Sequence, residues 1–220
     1  MNDRNDERRL ILIRHGLPDY RGGKRTDEQP GPPLSDIGRI QAAQAAEVVA
    51  NFAPRTIYAS PLARTRQTAE IVARPMGLPV RVEPDLTEWH RTNRIYQVNE
   101  RNTRFLMRWL RGDERCTAAV SHASPLLSIL RAALFLPHYG WTRISTSDRF
   151  EVSMASVFEL VFTPREVVAR CVFHPSPRIM ELRKSLVVSR YARPISGHGE
   201  NSSLTRPNWG RLIGSSPEEK

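Results

Sequence analysis

Two histidines in this chain each follow a short apolar run, a pattern typical of a buried strand in an α/β sheet. The first run, residues 10–13, leads directly to Arg14 and His15. The second run, residues 117–120, leads to His122 after one serine. Ligands of open α/β sheets bind at the carboxyl ends of the strands. We therefore expect His15 to lie at the mouth of a site with a guanidinium beside it, and His122 to end its own strand in the same way.

An imidazole beside a guanidinium suits the binding of an anion and attack on it. Gly16, which follows His15, lets the chain turn sharply and lets a ligand approach the backbone. An Arg-His-Gly triplet also occurs by chance, and a histidine after a strand is often structural. The phosphate chemistry that the triplet suggests therefore needs support from other parts of the chain.

A further candidate anion site follows the predicted strand at residues 56–59. Ser60 is a good helix N-cap and Pro61 suits the first helical position, so a helix is expected to begin there. The N-terminus of a helix favours anions. Arg64 and Arg66 fall in its first turns, and residues two apart do not share a helix face. We expect Arg64 to point into the site and Arg66 away from it.

The loop at residues 83–90 supplies candidates for a proton donor. It carries three carboxylates and His90. A carboxylic acid near the site can protonate a leaving alkoxide and later take a proton from water. From the residues alone Glu88 and Asp85 are nearly equal candidates, and a solvated loop carboxylate is the alternative for both. We expect His90 to be structural or solvated.

Taken in order, these segments resemble the histidine phosphatase superfamily, the phosphoglycerate-mutase-like proteins. Residues 153–157 resemble, more weakly, a late strand of that family. The resemblance therefore covers about residues 10–175. The five motifs that carry it are Leu12-Ile13-Arg14-His15-Gly16, Pro33-Leu34-Ser35-Asp36-Ile37-Gly38-Arg39-Ile40-Gln41-Ala42, Ser60-Pro61-Leu62-Ala63-Arg64-Thr65-Arg66-Gln67-Thr68-Ala69, Leu86-Thr87-Glu88 and Val120-Ser121-His122.

The resemblance implies an α/β fold, a three-layer α/β/α sandwich with a mostly parallel central sheet. It also implies a phosphotransfer that uses no metal and no cofactor. Matched residue by residue, His15 is the nucleophile that becomes phosphorylated, and Glu88 is the proton donor. Arg14, Arg64 and His122 hold the phosphoryl oxygens, and His122 belongs to the catalytic set. Neighbouring cations also favour a neutral, nucleophilic His15 at pH 7.

The predicted function is a metal-independent phosphatase that acts on phosphomonoesters through a phosphohistidine on His15. The phosphoglycerate mutases of this family usually carry Ser-x-x-Asn and an aromatic-Thr-Gly-Trp segment after Arg-His-Gly. Here Leu17-Pro18-Asp19-Tyr20 and a loop rich in glycine and proline stand there, which favours a phosphatase. Ala123 and Ser124 also replace glycines that are common after the second histidine. A mutase-type phosphotransferase and a non-catalytic protein that binds a phosphorylated ligand are the alternatives.

The chain is expected to form a single domain with two peripheral segments. Residues 1–9 are a polar N-terminal segment, residues 10–175 the phosphatase domain, and residues 176–220 a basic, partly flexible C-terminal extension. Helices are predicted after Ser35 over residues 36–51, at about residues 102–111 and from residue 124 to about 134. Further strands are predicted at residues 80–82 and in a hairpin of residues 154–162 and 166–173.

Charge and composition limit the possible partners. The formal net charge of +10 comes almost entirely from arginine, since the only lysines are Lys24, Lys184 and Lys220. The arginines are scattered without interleaved aromatic residues, so nucleic acid is an unlikely partner and a phosphorylated small molecule is favoured. No membrane span and no secretory signal are evident, and Cys116 and Cys171 form no metal or redox motif. We predict a cytoplasmic protein, and leave open its oligomeric state and whether the two cysteines meet.

Overall fold

A computed structural model of the protein describes residues 7–23, 29–90, 95–134 and 152–175. Within these ranges six strands form one sheet in the order β3-β2-β4-β1-β5-β6. The strands are β1 (Arg8–Arg14), β2 (Thr56–Ala59), β3 (Val80–Val82), β4 (Cys116–Ser121), β5 (Val157–Phe162) and β6 (Val167–Phe173).

The sheet is mixed. Neighbouring strands from β3 through β2 and β4 to β1 pair in parallel. The strands β5 and β6 form the predicted hairpin, and β5 pairs with β1 in the antiparallel sense. Thr163 closes the hairpin turn, since its backbone N–H donates to the carbonyl of Glu166. The expectation of a mostly parallel sheet therefore holds for the half that carries both histidines.

Helices cover both faces of the sheet. They are α1 (Asp36–Ala50), α2 (Ala63–Ala73), α3 (Ile95–Arg111) and α4 (Ala123–Leu134). Successive residues of a strand point to opposite faces. Leu10 and Leu12 accordingly pack with residues of α3 and α4, whereas Ile11 and Ile13 pack with residues of α1 and α2. The two apolar clusters on either side of β1 confirm the predicted three-layer α/β/α sandwich.

The helix limits differ from prediction in two places. The helix α3 begins at Ile95, several residues before the predicted start near Asn102. Its first turns are mostly polar, so the aromatic core pattern of Phe105 and Trp109, which the structure buries as expected, marks only the second half. The N-cap of α2 is Leu62, without a side-chain hydrogen bond, so the prediction of Ser60 as cap was wrong. Ser35 does cap α1, accepting a hydrogen bond from the backbone N–H of Gly38.

Gly16 is required by the fold in a way that the sequence did not predict. A Cβ on Gly16 would lie 2.3 Å from the carbonyl oxygen of Gly38, and a Cβ on Gly38 would lie 2.2 Å from the carbonyl oxygen of Leu17. Two backbone segments therefore touch where β1 ends and α1 begins. The first turn of α1 is packed directly against the residue that follows His15.

Three other expectations bear on the whole chain. Cys116 and Cys171 do not form a disulfide. No helix in the described part of the chain has the length and apolarity to cross a membrane. The domain limits stay a prediction, because residues 1–6 and 176–220 lie outside the described ranges.

Candidate functional site

The two strand-end histidines lie side by side because β1 and β4 are parallel neighbours. Arg14 is opposite Ser121 in the register, so His15 and His122 follow at the same edge of the sheet. Their ring centroids are 5.1 Å apart in an edge-to-face arrangement. Both side chains are buried, with His15 4% exposed and His122 fully enclosed. The sequence thus brings two imidazoles together at the carboxyl ends of neighbouring strands.

The hydrogen bonds of His15 define its proton positions. Its Nδ1 lies 2.7 Å from the carbonyl oxygen of Gly16, which can only accept, so Nδ1 carries the proton. Its Nε2 lies 3.2 Å from Nε of Arg64, which can only donate, so Nε2 carries a lone pair. The imidazole is therefore neutral, with its nucleophilic nitrogen directed at a guanidinium.

Burial keeps both imidazoles neutral. Desolvation, followed by the positive charges of Arg64 and Arg14, lowers the pKa of His15 to about 3. Desolvation also lowers the pKa of His122 well below its usual value, and His15, Arg64 and Arg14 add to the effect. The cations act as the sequence suggested, but burial is the larger cause.

Two guanidiniums border the imidazoles. Arg64 is 2% exposed and points inward from the first turn of α2, whereas Arg66 is exposed, as their spacing predicted. Arg14 ends β1, and its Nη1 donates to the carbonyl of Val152 at 2.5 Å. A phosphate group placed between these side chains would meet positive charge from two directions.

Ser60 belongs to the site instead of capping α2. Its backbone N–H continues the sheet by donating to the carbonyl of Val120 at 3.0 Å, so the chain is still extended at this residue. Its hydroxyl lies 2.9 Å from Nε2 of His122. The other ring nitrogen, Nδ1, makes no hydrogen bond within the described residues and lies 3.9 Å from Oε2 of Glu88. Ser60 thus fixes the His122 ring with its Nδ1 edge near Glu88.

The surroundings of Glu88 raise the pKa of its carboxyl group. Desolvation raises its pKa, against hydrogen bonds from the Trp89 backbone and Ser124 and the charges of Arg64 and Arg14. The Trp89 N–H lies 2.8 Å from Oε1. Ser124, which replaces a usual glycine of the family, therefore contacts the carboxyl group, a role that sequence reasoning missed.

The hydrogen-bond partners of Asp85 make it a poorer candidate than Glu88 for the proton donor. Burial alone would raise its pKa, but hydrogen bonds from Arg104 and Arg108 outweigh burial and lower the pKa. Nη2 of Arg104 lies 2.6 Å and Nη1 of Arg108 3.1 Å from its carboxylate oxygens. Asp85 is held as an anion on the side of α3, which separates the two carboxylates that the sequence left nearly equal.

The segment before β5 also reaches the site, which the sequence did not predict. Residues 153–156 form a turn, and the strand begins only at Val157. Within the turn, Ala155 has a φ of 55° and the Ser156 N–H donates to the Ser153 carbonyl. The Ala155 N–H donates to the His15 carbonyl at 3.1 Å, and the Arg14 N–H donates to the Ser156 carbonyl at 3.1 Å. This turn therefore holds the backbone of both residues.

Two other basic side chains have partners of their own among the described residues. Arg21 is exposed and pairs with Asp19. His174 lies 3.0 Å from the Ser153 hydroxyl and 3.1 Å from the Cys171 sulfur, on the far strand of the hairpin. Lys24, Arg25, His138 and His198 fall outside the described ranges.

The chain is similar in sequence to known phosphatases and to a probable phosphoglycerate mutase. Residues 10–94 match the profile of the histidine phosphatase superfamily (branch 1). Glucosyl-3-phosphoglycerate phosphatase of Mycolicibacterium vanbaalenii is 33% identical over 154 residues, 70% of this chain and 60% of that protein. A probable phosphoglycerate mutase of Photorhabdus laumondii is 37% identical over 81 residues, 37% of this chain and 38% of that protein. The chain thus spans less than two thirds of the length of these relatives.

Solved structures share the fold. A mycobacterial glucosyl-3-phosphoglycerate phosphatase in complex with VO3 superposes with a TM-score of 0.57 at 24% identity, covering 76% of this chain and 98% of that one. Phosphoserine phosphatase of Entamoeba histolytica in complex with 3-phosphoglyceric acid gives a TM-score of 0.59 at 17% identity, with the same coverage. The α/β/α sandwich described above is therefore the fold of these phosphatases.

Proposed function

Because residues 10–94 match the profile of the histidine phosphatase superfamily, we propose that the chain hydrolyses phosphomonoesters through a phosphohistidine on His15, without a metal ion. One observation carries this proposal. The Nε2 lone pair of His15 is available at neutral pH, because burial and two guanidiniums keep the ring neutral. A covalent intermediate divides a difficult hydrolysis into two easier steps.

In the first step, Nε2 of His15 attacks the phosphorus of the ester. The incoming phosphoryl group takes over the hydrogen bond that Arg64 makes to Nε2 in the free protein. Arg14, Arg64 and His122 hold the three equatorial oxygens, where charge is spread in the transition state. The P–O bond to the alcohol breaks as the N–P bond forms, and Glu88 gives its proton to the leaving oxygen.

In the second step, water replaces the alcohol. Glu88, now ionised, takes a proton from the water as its oxygen attacks the phosphorus. The N–P bond breaks, inorganic phosphate leaves, and Nε2 recovers its lone pair while Nδ1 keeps its proton on the Gly16 carbonyl. The carboxyl group suits this double role because its pKa is raised toward the working pH.

The substrate we propose is a small phosphorylated metabolite. The first compound to test is glucosyl-3-phosphoglycerate, which appears in the name of the relative at 33% identity. The second is 3-phosphoglycerate, which is bound in one of the similar structures. A mutase-type phosphotransferase is the second candidate, because one relative is a probable phosphoglycerate mutase. The cytoplasmic location stays a prediction.

The test is phosphate release in EDTA from p-nitrophenyl phosphate and the two named compounds, for the wild type and for His15→Ala. We expect turnover by the wild type, none by His15→Ala, and an acid-labile, alkali-stable phosphate on the wild type after a rapid quench. Transfer of phosphate between positions of phosphoglycerate, without net release, would identify the mutase. Tight binding of phosphate with no turnover and no phosphoenzyme would identify a binding protein.

A further inference from the structure

One face of α3 carries a row of arginines that reaches the loop of the proton donor. Arg101, Arg104 and Arg108 are spaced at i, i+3 and i+7, which places them on one side of the helix. All three donate hydrogen bonds to residues 83–88. The loop is therefore fastened to α3 along its length, and the contacts at its two ends differ in kind.

The far end of the loop is held by ion pairs. Asp85 accepts hydrogen bonds from both Arg104 and Arg108, and Glu83 pairs with Arg108. The strand β4 supplies another tie, because the Ser121 hydroxyl donates to the Leu86 carbonyl at 2.6 Å. These contacts fix residues 83–86 without any contribution from Arg101.

The near end of the loop is held by Arg101 alone among these arginines, and its contacts are to the backbone. Nη2 of the half-buried Arg101 lies 3.1 Å from the Thr87 carbonyl oxygen and 3.4 Å from the Glu88 carbonyl oxygen. These two carbonyls belong to the planar peptide groups on either side of the Glu88 Cα. Orienting both peptide planes sets the direction in which the Glu88 side chain leaves the backbone.

We propose that Arg101 is a positioning residue that aims the Glu88 carboxyl group at the leaving-group oxygen. This inference rests on the proposed function, in which Glu88 is the proton donor. A misplacement of about 1 Å in a reacting group can lower a rate by about 100-fold. Among the described residues Arg101 makes no hydrogen bond to the imidazoles or to Arg64, so its removal should impair proton donation more than phosphate binding.

The experiment compares two substrates of similar shape that differ in their need for a proton. Phenyl phosphate releases a phenol with a pKa of about 10, like that of tyrosine, whereas p-nitrophenyl phosphate releases a much more acidic phenol. For Arg101→Met we expect kcat/KM to fall roughly 10-fold on phenyl phosphate and less than about 2-fold on p-nitrophenyl phosphate. Arg101→Lys, which can still donate to a carbonyl, should recover part of the loss.

Controls separate this role from a structural one. Arg104→Met, which loosens the Asp85 end while Arg108 still holds it, should leave the ratio of the two kcat/KM values at the wild-type level. An equal fall on both substrates for Arg101→Met, or no fall on either, would overturn the inference. If Arg101→Met does not fold, the same ratio measured with Arg101→Gln decides between these outcomes.

Glu88→Gln, measured beside these variants, tests the premise separately. A selective loss on phenyl phosphate for Glu88→Gln but not for Arg101→Met would leave the proposed function intact and reject the role of Arg101. No selective loss for Glu88→Gln would instead reject Glu88 as the proton donor.

Discussion

Two carboxylates three positions apart in one loop are given opposite protonation tendencies by their surroundings. Glu88 is partly buried beside His122, and this desolvation raises its pKa, whereas Asp85 accepts hydrogen bonds from two guanidiniums and its pKa falls. A general acid needs a pKa near the working pH. This difference in environment, and not a difference in residue type, makes Glu88 the proton donor of the proposed mechanism.

The pH dependence of the reaction should show the raised pKa of Glu88. The acid form is required, so kcat/KM for phenyl phosphate should fall as pH rises through that pKa. Since the pKa of His15 is about 3, its imidazole stays neutral above pH 5 and should add no acidic limb. A pH series with p-nitrophenyl phosphate corrects for ionisation of the substrate phosphate. Glu88→Gln should remove the difference between the two substrates, and an unchanged difference would contradict the assignment.

Ser60→Ala should weaken phosphate holding instead of proton donation. The change removes the hydroxyl that lies 2.9 Å from Nε2 of His122 and leaves a buried nitrogen unpaired, which costs about 1–3 kcal/mol. We expect kcat/KM to fall by a similar factor, roughly 10-fold, on phenyl and p-nitrophenyl phosphate. Steady-state kinetics and thermal unfolding measure the two effects. A loss confined to phenyl phosphate, the pattern expected of Glu88→Gln, would be inconsistent with this role.

The sequence predicted which side chains lie together better than it predicted the contacts that support them. Arg64 could be placed inward because a helix face excludes Arg66, and the structure confirms this. The support from Ser60 was missed, because a serine followed by proline is a common helix start and its strand hydrogen bond depends on β4. The turn at Ala155 was missed because its contact with the His15 carbonyl joins residues 140 positions apart. Such long-range contacts leave no local pattern.

At the scale of elements, the close contact between the end of β1 and the start of α1 explains Gly16 and Gly38. Gly38→Ala would place a Cβ 2.2 Å from the Leu17 carbonyl oxygen, which is backbone and cannot move alone. We expect the free energy of unfolding to fall by about 1–3 kcal/mol, as for other overpacked sites. Denaturant unfolding measures it. Gly22→Ala, where nothing lies within 4 Å of the added Cβ, is the matched control and should change the free energy by less than about 0.5 kcal/mol. Equal effects of the two changes would show that the close contact is not needed.

The hairpin carries a buried charge that is balanced from two strands. Glu159 on β5 is fully buried and pairs with Arg9 on β1 and Arg170 on β6. Arg170→Met removes the nearer partner from a buried carboxylate, and we expect a loss of about 2 kcal/mol in the free energy of unfolding. Glu159→Leu should cost less, because both arginines are partly exposed and can be hydrated. Urea unfolding of the two variants measures both losses in free energy. A larger loss for Glu159→Leu would contradict the expectation that an unpaired buried carboxylate costs more than two unpaired arginines.

Element types were predictable, but their ends were not. Apolar runs marked β1, β4 and β5 because most of their residues are buried on both faces of the sheet. The start of α3 was missed since its first turns are polar and are held by contacts such as that of Arg101 with the Thr87 carbonyl. Local periodicity does not predict a helix boundary that depends on a tertiary hydrogen bond.

For the whole molecule, the two core clusters explain why one strand organises the chain. The side chains of β1 alternate between the cluster with α3 and α4 and the cluster with α1 and α2. The strand therefore joins both layers and ends at His15. The layer architecture was predicted from the family resemblance, and the alternation of strands and helices agrees with it. The antiparallel place of β5 beside β1 was not, because nothing local specifies which strand a hairpin joins.

Removal of the residues after 190 should leave this domain folded. All six strands within the described residues, and both core clusters that these residues form, lie between residues 8 and 173. A chain ending at residue 190 should therefore unfold at the same temperature as the full chain. A chain ending at residue 165 is the control, since it lacks β6 and leaves the backbone edge of β5 unpaired, and its melting temperature should fall sharply. A sharp fall for the chain ending at 190 would mean that residues after 190 contribute to the stability of the domain.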